Sequence, residues 1–215
     1  MTRIWDISPP LHWSTPAFPG DTTYQQRWTA EIGPGCPVNV SAITLSPHLG
    51  AHADAPLHYG RGAAPIGEVD LDPFLGTCRV IHAIGCGALV TSEHLSHAID
   101  DLPPRVLVRT CDKAPTEWSP QFTAFAPETI AWLASLGVRL VGIDSQSVDP
   151  ADSKTLDSHQ QLLAHNMRVL ENLMLDEVPP GDYELIALPL KLMTACASPV
   201  RAVLRRSMPD GGAAS

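Results

Sequence analysis

Seven short apolar-rich runs recur along the chain. They are RIWDIS at 3–8, VNVSAITLS at 38–46, CRVIHAIG at 78–85, RVLVRT at 105–110, VRLVGID at 138–144, YELIALPLKL at 183–192 and VRAVLR at 200–205. Most are rich in valine and isoleucine and stop against glycine, proline or aspartate, which predicts β-strands. Helical patterns are fewer. APETIAWLASLG sets Pro127 at a first helical position and Gly137 just past the end. TSEHLSHAI opens on Thr91, a residue suited to an N-cap, and LDSHQQLLAHN predicts a helix starting at Asp157 or Ser158. Residues 127–144 therefore read as helix then strand, the second half of a βαβ unit. The fold class expected is mixed α/β (α+β): one domain over residues 1–215, with a β-rich body and a few helices.

Length and charge narrow the function classes. A chain of 215 residues is long enough for one sizeable core. With 14 Lys and Arg against 23 Asp and Glu, the formal net charge is -9. An acidic chain repels phosphate backbones, so no nucleic-acid partner is expected. MTRIWDISPPL lacks the apolar core of a signal peptide, and no apolar run approaches the ~20 residues that span a bilayer. The expectation is a soluble, cytoplasmic protein with no membrane partner. Five scattered cysteines, without a CxxC pair, fit reduced thiols. The 21 prolines are spread along the chain and predict many tight loops, and only the tail at 208–215 reads as disordered.

The chemistry concentrates in SPHLGAHADAPLHYG, residues 46–60, which holds His48, His52, Asp54 and His58. His48 and His52 have the i, i+4 spacing of a helical zinc motif, but Pro47, Gly50 and Pro56 argue against a helix there. In an extended segment, residues of one parity share a face, and all four side chains have even numbers. Such a segment aims three imidazoles and a carboxylate at one volume, with Gly50 allowing a close approach. Neutral imidazole and carboxylate suit zinc, manganese or iron. Pro56 should redirect the chain, so that His58 need not point at the same ion. The other histidines carry less. His82 sits in an apolar strand and reads as a satisfied core residue; His94 and His97 read as solvated; His12 and His165 have no supporting context. His159 and Glu171, twelve residues apart, would lie ~18 Å apart on a straight helix and about 120° out of phase. Asn166 can take the left-handed conformation that ends a helix, and the chain could then turn Glu171 back beside His159.

The pattern His-x-Gly-x-His-x-Asp-x-Pro-x-His resembles that of the metal-dependent cyclase-like hydrolases, here as His48, Gly50, His52, Asp54, Pro56 and His58. The likeness extends through WDISPPL, PAFPGDT, CPVNVSAITLSPHLGAHADAPLHY, GVRLVGIDSQSVDP, SKTLDSHQQLLAH, GDYELIALPLKL and SPVRAVLR, and is strongest to the branch that hydrolyses aryl formamides. The resemblance implies a compact β/β/α domain and a homodimer. It implies that His48, His52 and Asp54 hold one metal, that Asp54 bridges to a second bound by His159, and that Glu171 contacts both. The metal implied is zinc, two ions per subunit, with manganese or another divalent cation as an alternative. His58 would be the proton donor and acceptor, and Phe18 would contact the substrate. The reaction implied is hydrolysis of N-formyl-L-kynurenine to L-kynurenine and formate by a water activated at the binuclear centre. Two other readings stay open: a cyclic-amide hydrolase of the isatin type, and a non-catalytic metal-binding protein on the same fold. Ala51 stands where the wider family has Thr, and Ser145–Gln146 where Thr–Pro is expected, in a loop where a substrate contact could lie. Asp144, ending the strand before that loop, could face the cleft or serve the structure.

Overall fold

The computed structural model describes residues 2–207; the tail expected at 208–215 lies outside the described residues. The strands are β1 (Thr2–Asp6), β2 (Gln25–Ala30), β3 (Val40–Thr44), β4 (His52–Asp54), β5 (Leu75–His82), β6 (Leu89–Val90), β7 (Arg105–Arg109), β8 (Ala124–Phe125), β9 (Leu140–Ile143), β10 (Arg168–Glu171), β11 (Gly181–Ile186), β12 (Ala197–Pro199) and β13 (Val203–Ser207). The helices are α1 (Pro56–Tyr59), α2 (Ser92–Leu95), α3 (Pro127–Ser135) and α4 (Asp157–Ala164). Nine strands form one sheet in the order β1-β13-β11-β5-β7-β9-β10-β4-β12. Its centre, β5-β7-β9-β10, is parallel, and the flanking pairs are antiparallel. Parallel neighbours need crossovers, and α3 and α4 supply them between β7 and β9 and between β9 and β10.

Alternation along the central strands builds two cores. Val80, Leu107, Leu140 and Leu170 bury on one face with Trp5, Ile7, Phe74 and Leu204. Their neighbours Ile81, Val106, Val108, Val141 and Val169 bury on the other, against Ile130 and Leu133 of α3 and Leu162 of α4. A sheet covered on both faces makes the near-continuous apolar runs read from the sequence. The mixed α+β class with few helices is the one observed.

Several elements differ from the expectation. The run 38–46 shrinks to β3, which pairs with β2 in a separate hairpin outside the main sheet. β2 carries the polar sequence QQRWTA and is largely exposed, so no burial pattern marks it. The run 183–192 ends as a strand at Ile186, ahead of Pro189, which has no N–H to donate. The helix expected from Thr91 is one turn followed by a 3₁₀ turn to Ala98. Asn166 does take the left-handed conformation (φ 52°), and the next residues form β10 instead of continuing α4.

Candidate metal centre

The His-rich segment is extended only at β4. Gly50 has φ +67°, and a Cβ there would collide with Leu11, so the turn before β4 requires glycine. Pro56 opens α1. The uniform even-residue face expected for 48–58 is therefore corrected: it holds for His52 and Asp54, whereas His48 arrives from a turn and His58 from a helix. β4 lies between β10 and β12. In register, Glu171 pairs with His52 and Val169 with Asp54. Cross-strand partners share a face, so His52, Asp54 and Glu171 stand on the helix side of the sheet. α4 brings His159 to the same place.

Asp54 is the hub. His48 Nδ1 lies 2.9 Å and His52 Nε2 3.3 Å from its Oδ1, and His159 Nε2 lies 3.2 Å from its Oδ2. Glu171 puts Oε2 3.3 Å from His52 Nε2 and Oε1 3.6 Å from His159 Nε2. His52, Asp54, His159 and Glu171 are all at least 97% buried. Outer hydrogen bonds orient them. His52 Nδ1 donates to the Gly50 carbonyl (2.8 Å), His159 Nδ1 donates to Asp149 Oδ2 (2.6 Å), and Val148 N–H donates to Glu171 Oε1 (2.8 Å). Each carbonyl or carboxylate can only accept, so both Nε2 atoms turn inward.

The cluster meets a direct test of fitness for a cation. Among the described residues, His52 Nε2 and Asp54 Oδ1 are buried with no hydrogen-bond partner, although other polar atoms lie close by. Both atoms face shared space without bonding each other, which is costly unless a third group takes them. His48, His52 and Asp54 bring ligand atoms within 4.8 Å of one another, and so do Asp54, His58 and His159. Oxygen and imidazole donors in this mixture suit zinc or manganese.

Without a cation, the charges compensate one another. Burial alone would lower the pKa of His52, but the adjacent carboxylates of Asp54 and Glu171 override it and raise it to about 10. His159 is likewise pushed up to about 10, burial being overcome by Asp149 and Asp54. Burial opposes ionisation of Asp54, yet the three surrounding imidazoles hold its carboxyl well below the usual range. His58 is the exposed member. Desolvation on its cleft side lowers its pKa, with the neighbouring imidazoles adding to the effect. Its ring centroid is 4.2 Å from that of His48 and 5.7 Å from that of His159.

These groups floor a cleft of about 340 Å³, walled by Pro16, Phe18, Asp21, Gln146 and Lys154. Phe18 is 42% exposed and meets Trp118 edge-to-face at 5.9 Å. Gln146 lines the cleft with its Oε1 buried and unpartnered. Asp144 serves the structure: its carboxylate accepts the Thr110 N–H and Oγ–H and the Cys111 N–H. His82 is satisfied through Val178 O, and His94 is not solvated as expected but accepts the Thr91 N–H at its helix start. Sequence reading missed Asp149 and Trp118. Asp149 precedes a proline in a loop and nothing local ties it to a helix beginning eight residues later.

A strand-rich α+β body with convergent imidazoles and carboxylates under a cleft has the architecture of a metal-dependent hydrolase. The family model described as "Putative cyclase" matches residues 5–150, and the chain belongs to this cyclase family. The chain is 67% identical over 203 residues to a kynurenine formamidase of Delftia acidovorans, covering 94% of this chain and 97% of that one. It is 65% identical over 206 residues to a kynurenine formamidase of Bordetella avium, covering 95% and 99%. Among solved structures, a potential metal-dependent hydrolase with cyclase activity superposes with a TM-score of 0.83 at 26% identity, over 97% of this chain and 100% of that one. Isatin hydrolase A from Labrenzia aggregata shares the fold, with a TM-score of 0.82 at 20% identity over 96% and 94%. Among the described residues no helix is long and apolar enough to cross a membrane.

Proposed function

We propose that this chain hydrolyses N-formyl-L-kynurenine to L-kynurenine and formate, using two zinc ions. His48, His52 and Asp54 would hold one ion and His159 the other, with Asp54 and Glu171 shared. The observation that carries this reading is the floor of unpartnered His52 Nε2 and Asp54 Oδ1, in a chain matching kynurenine formamidases over nearly its whole length. When bound, such cations supply Lewis-acid activation of water and of a carbonyl at neutral pH.

The chain's own residues do the rest. His58, with its lowered pKa, is neutral at pH 7 and free to accept a proton from the attacking water. It returns that proton to the aryl nitrogen as the formyl C–N bond breaks. Phe18, backed by Trp118, offers an aromatic wall for the substrate ring. Asp149 and the Gly50 carbonyl hold the His159 and His52 rings in the orientation the site needs. The same reading takes residues 1–215 as one hydrolase domain, homodimeric and cytoplasmic. Trp28, Val40 and Ile43 expose apolar surface on the β2–β3 hairpin and support an interface with a second copy. The five unpaired cysteines suit a reducing compartment.

Zinc-loaded protein assayed on N-formyl-L-kynurenine and on isatin tests the substrate. Stoichiometric formate from the first, at a higher kcat/KM than isatin opening, is expected. The reverse order would transfer the site to cyclic amides, and no turnover of either would leave a binding protein. Elemental analysis should find two ions per chain, His159→Ala emptying one position and Asp54→Ala disturbing both.

A further inference from the structure

We propose that Cys196 is a positioning residue of the metal centre: its Sγ accepts the Nε2 proton of His48 and thereby fixes Nδ1 as the nitrogen that faces Asp54. The inference rests on the metal-centre reading above. The three buried or half-buried imidazoles around Asp54 are oriented asymmetrically. His52 and His159 direct their outer nitrogens at groups that can only accept, a backbone carbonyl and a carboxylate. His48 is turned the other way round. Its Nδ1 faces inward and its Nε2 faces outward, 3.3 Å from Cys196 Sγ.

A thiol can donate or accept, so proximity alone leaves two arrangements. If the thiol donated to Nε2, the ring proton would sit on Nδ1, 2.9 Å from Asp54 Oδ1. But Asp54 Oδ1 has no hydrogen-bond partner among the described residues. A proton on Nδ1 is therefore not aimed at that oxygen, close as it is. The other arrangement, with Nε2–H donating to sulfur, leaves the Nδ1 lone pair facing the space shared with His52 Nε2 and Asp54 Oδ1. That is the tautomer a cation requires.

Backbone pairing keeps the sulfur in place. Ala55 N–H donates to the Cys196 carbonyl (2.8 Å), and Ala197 stands opposite Asp54 in the β12–β4 register. The thiol is thus tied to the strand that carries the ligands. None of this was legible beforehand, since residues 48 and 196 meet only through the sheet order.

The test compares wild type with Cys196→Ala and Cys196→Asp, each loaded with Zn²⁺ against a chromophoric chelator. Loss of an outer hydrogen-bond partner typically costs 10–100-fold in metal affinity, and Cys196→Ala should lose that much. Cys196→Asp, which restores an acceptor, should recover most of it. Long-range ¹H–¹⁵N spectra of zinc-loaded wild type should show His48 protonated at Nε2, a readout that mere packing would not move. Cys196→Ala binding zinc as tightly as wild type, Cys196→Asp binding as weakly as the alanine variant, or a His48 proton on Nδ1 would each overturn the proposal. Should the alanine variant fail to fold, the aspartate variant and the wild-type tautomer decide it. A wild-type chain that takes up no zinc would instead overturn the metal-centre reading itself.

Discussion

Removing the Asp149 carboxylate should damage stability and metal binding together. Asp149 is 98% buried. Its Oδ1 accepts Ser158 N–H at 2.8 Å, and its Oδ2 accepts His159 N–H at 3.0 Å and His159 Nδ1 at 2.6 Å. Two of those donors are first-turn amides of α4, which have no partner inside the helix. Asp149 therefore caps α4 from a distant loop. Losing a cap costs about 1 kcal/mol because its amides are left bare, and a fully buried donor left bare costs about 1–3 kcal/mol. Asp149→Ala should lose about 3–5 kcal/mol in the metal-free chain, after some relief from entering water. At about 2–4 °C per kcal/mol for a chain of this size, Tm should fall by roughly 6–20 °C. The freed His159 ring should also weaken zinc binding by about 10–100-fold. Urea unfolding of metal-free protein and chelator competition measure the two effects. Asp149→Asn, which keeps one acceptor oxygen, should fall between. A metal-free Asp149→Ala chain within about 1 kcal/mol of wild type would refute the capping argument.

His58→Ala should lower kcat by about 10²–10⁴-fold while elemental analysis still finds full metal; loss of an ion would make His58 a ligand. Phe18→Ala should raise KM for formylkynurenine and leave metal content and unfolding intact, and an unchanged KM would reduce the ring to packing. The folded pKa values of His52 and His159, about 10, lie above the unfolded value near 6.5. Their contribution to the metal-free chain is therefore fully present below pH 6.5 and is lost as pH rises through 10, so its Tm should drop across that window. By the same linkage, zinc uptake at pH 7.5 should release protons, detectable with an indicator dye; release of none would mean the rings are already neutral.

What could be read before folding follows the range of the interaction concerned. The apolar runs at 78–85, 105–110 and 138–144 were legible as strands because both faces of β5, β7 and β9 are covered. β2 was not, because QQRWTA is exposed and its pairing is with β3 alone. RVLE looked like a continuation of α4 until Asn166 was given its left-handed turn, and that one residue decides whether Glu171 reaches His159. His48, His52, Asp54 and His58 stood out because they crowd a short segment. The parity argument explained only the two that lie on β4. Asp149 and Cys196 escaped notice for one reason. Each touches its histidine through the chain's return across the sheet, and no spacing rule encodes that.

The position of β4 between β10 and β12 also orders events in time. Both neighbours are made late: residue 171 follows residue 52 by 119 residues, and β12 begins only at Ala197. At about 5–20 residues per second, the His-rich segment leaves the ribosome roughly 6–24 s before its first partner strand exists. Through that interval it is an unpaired chelating stretch. It can capture a cation, but without Glu171 or His159 it cannot hold one in the final arrangement. The complete centre therefore cannot assemble until His159 and Glu171 have been made and β10 has paired with β4.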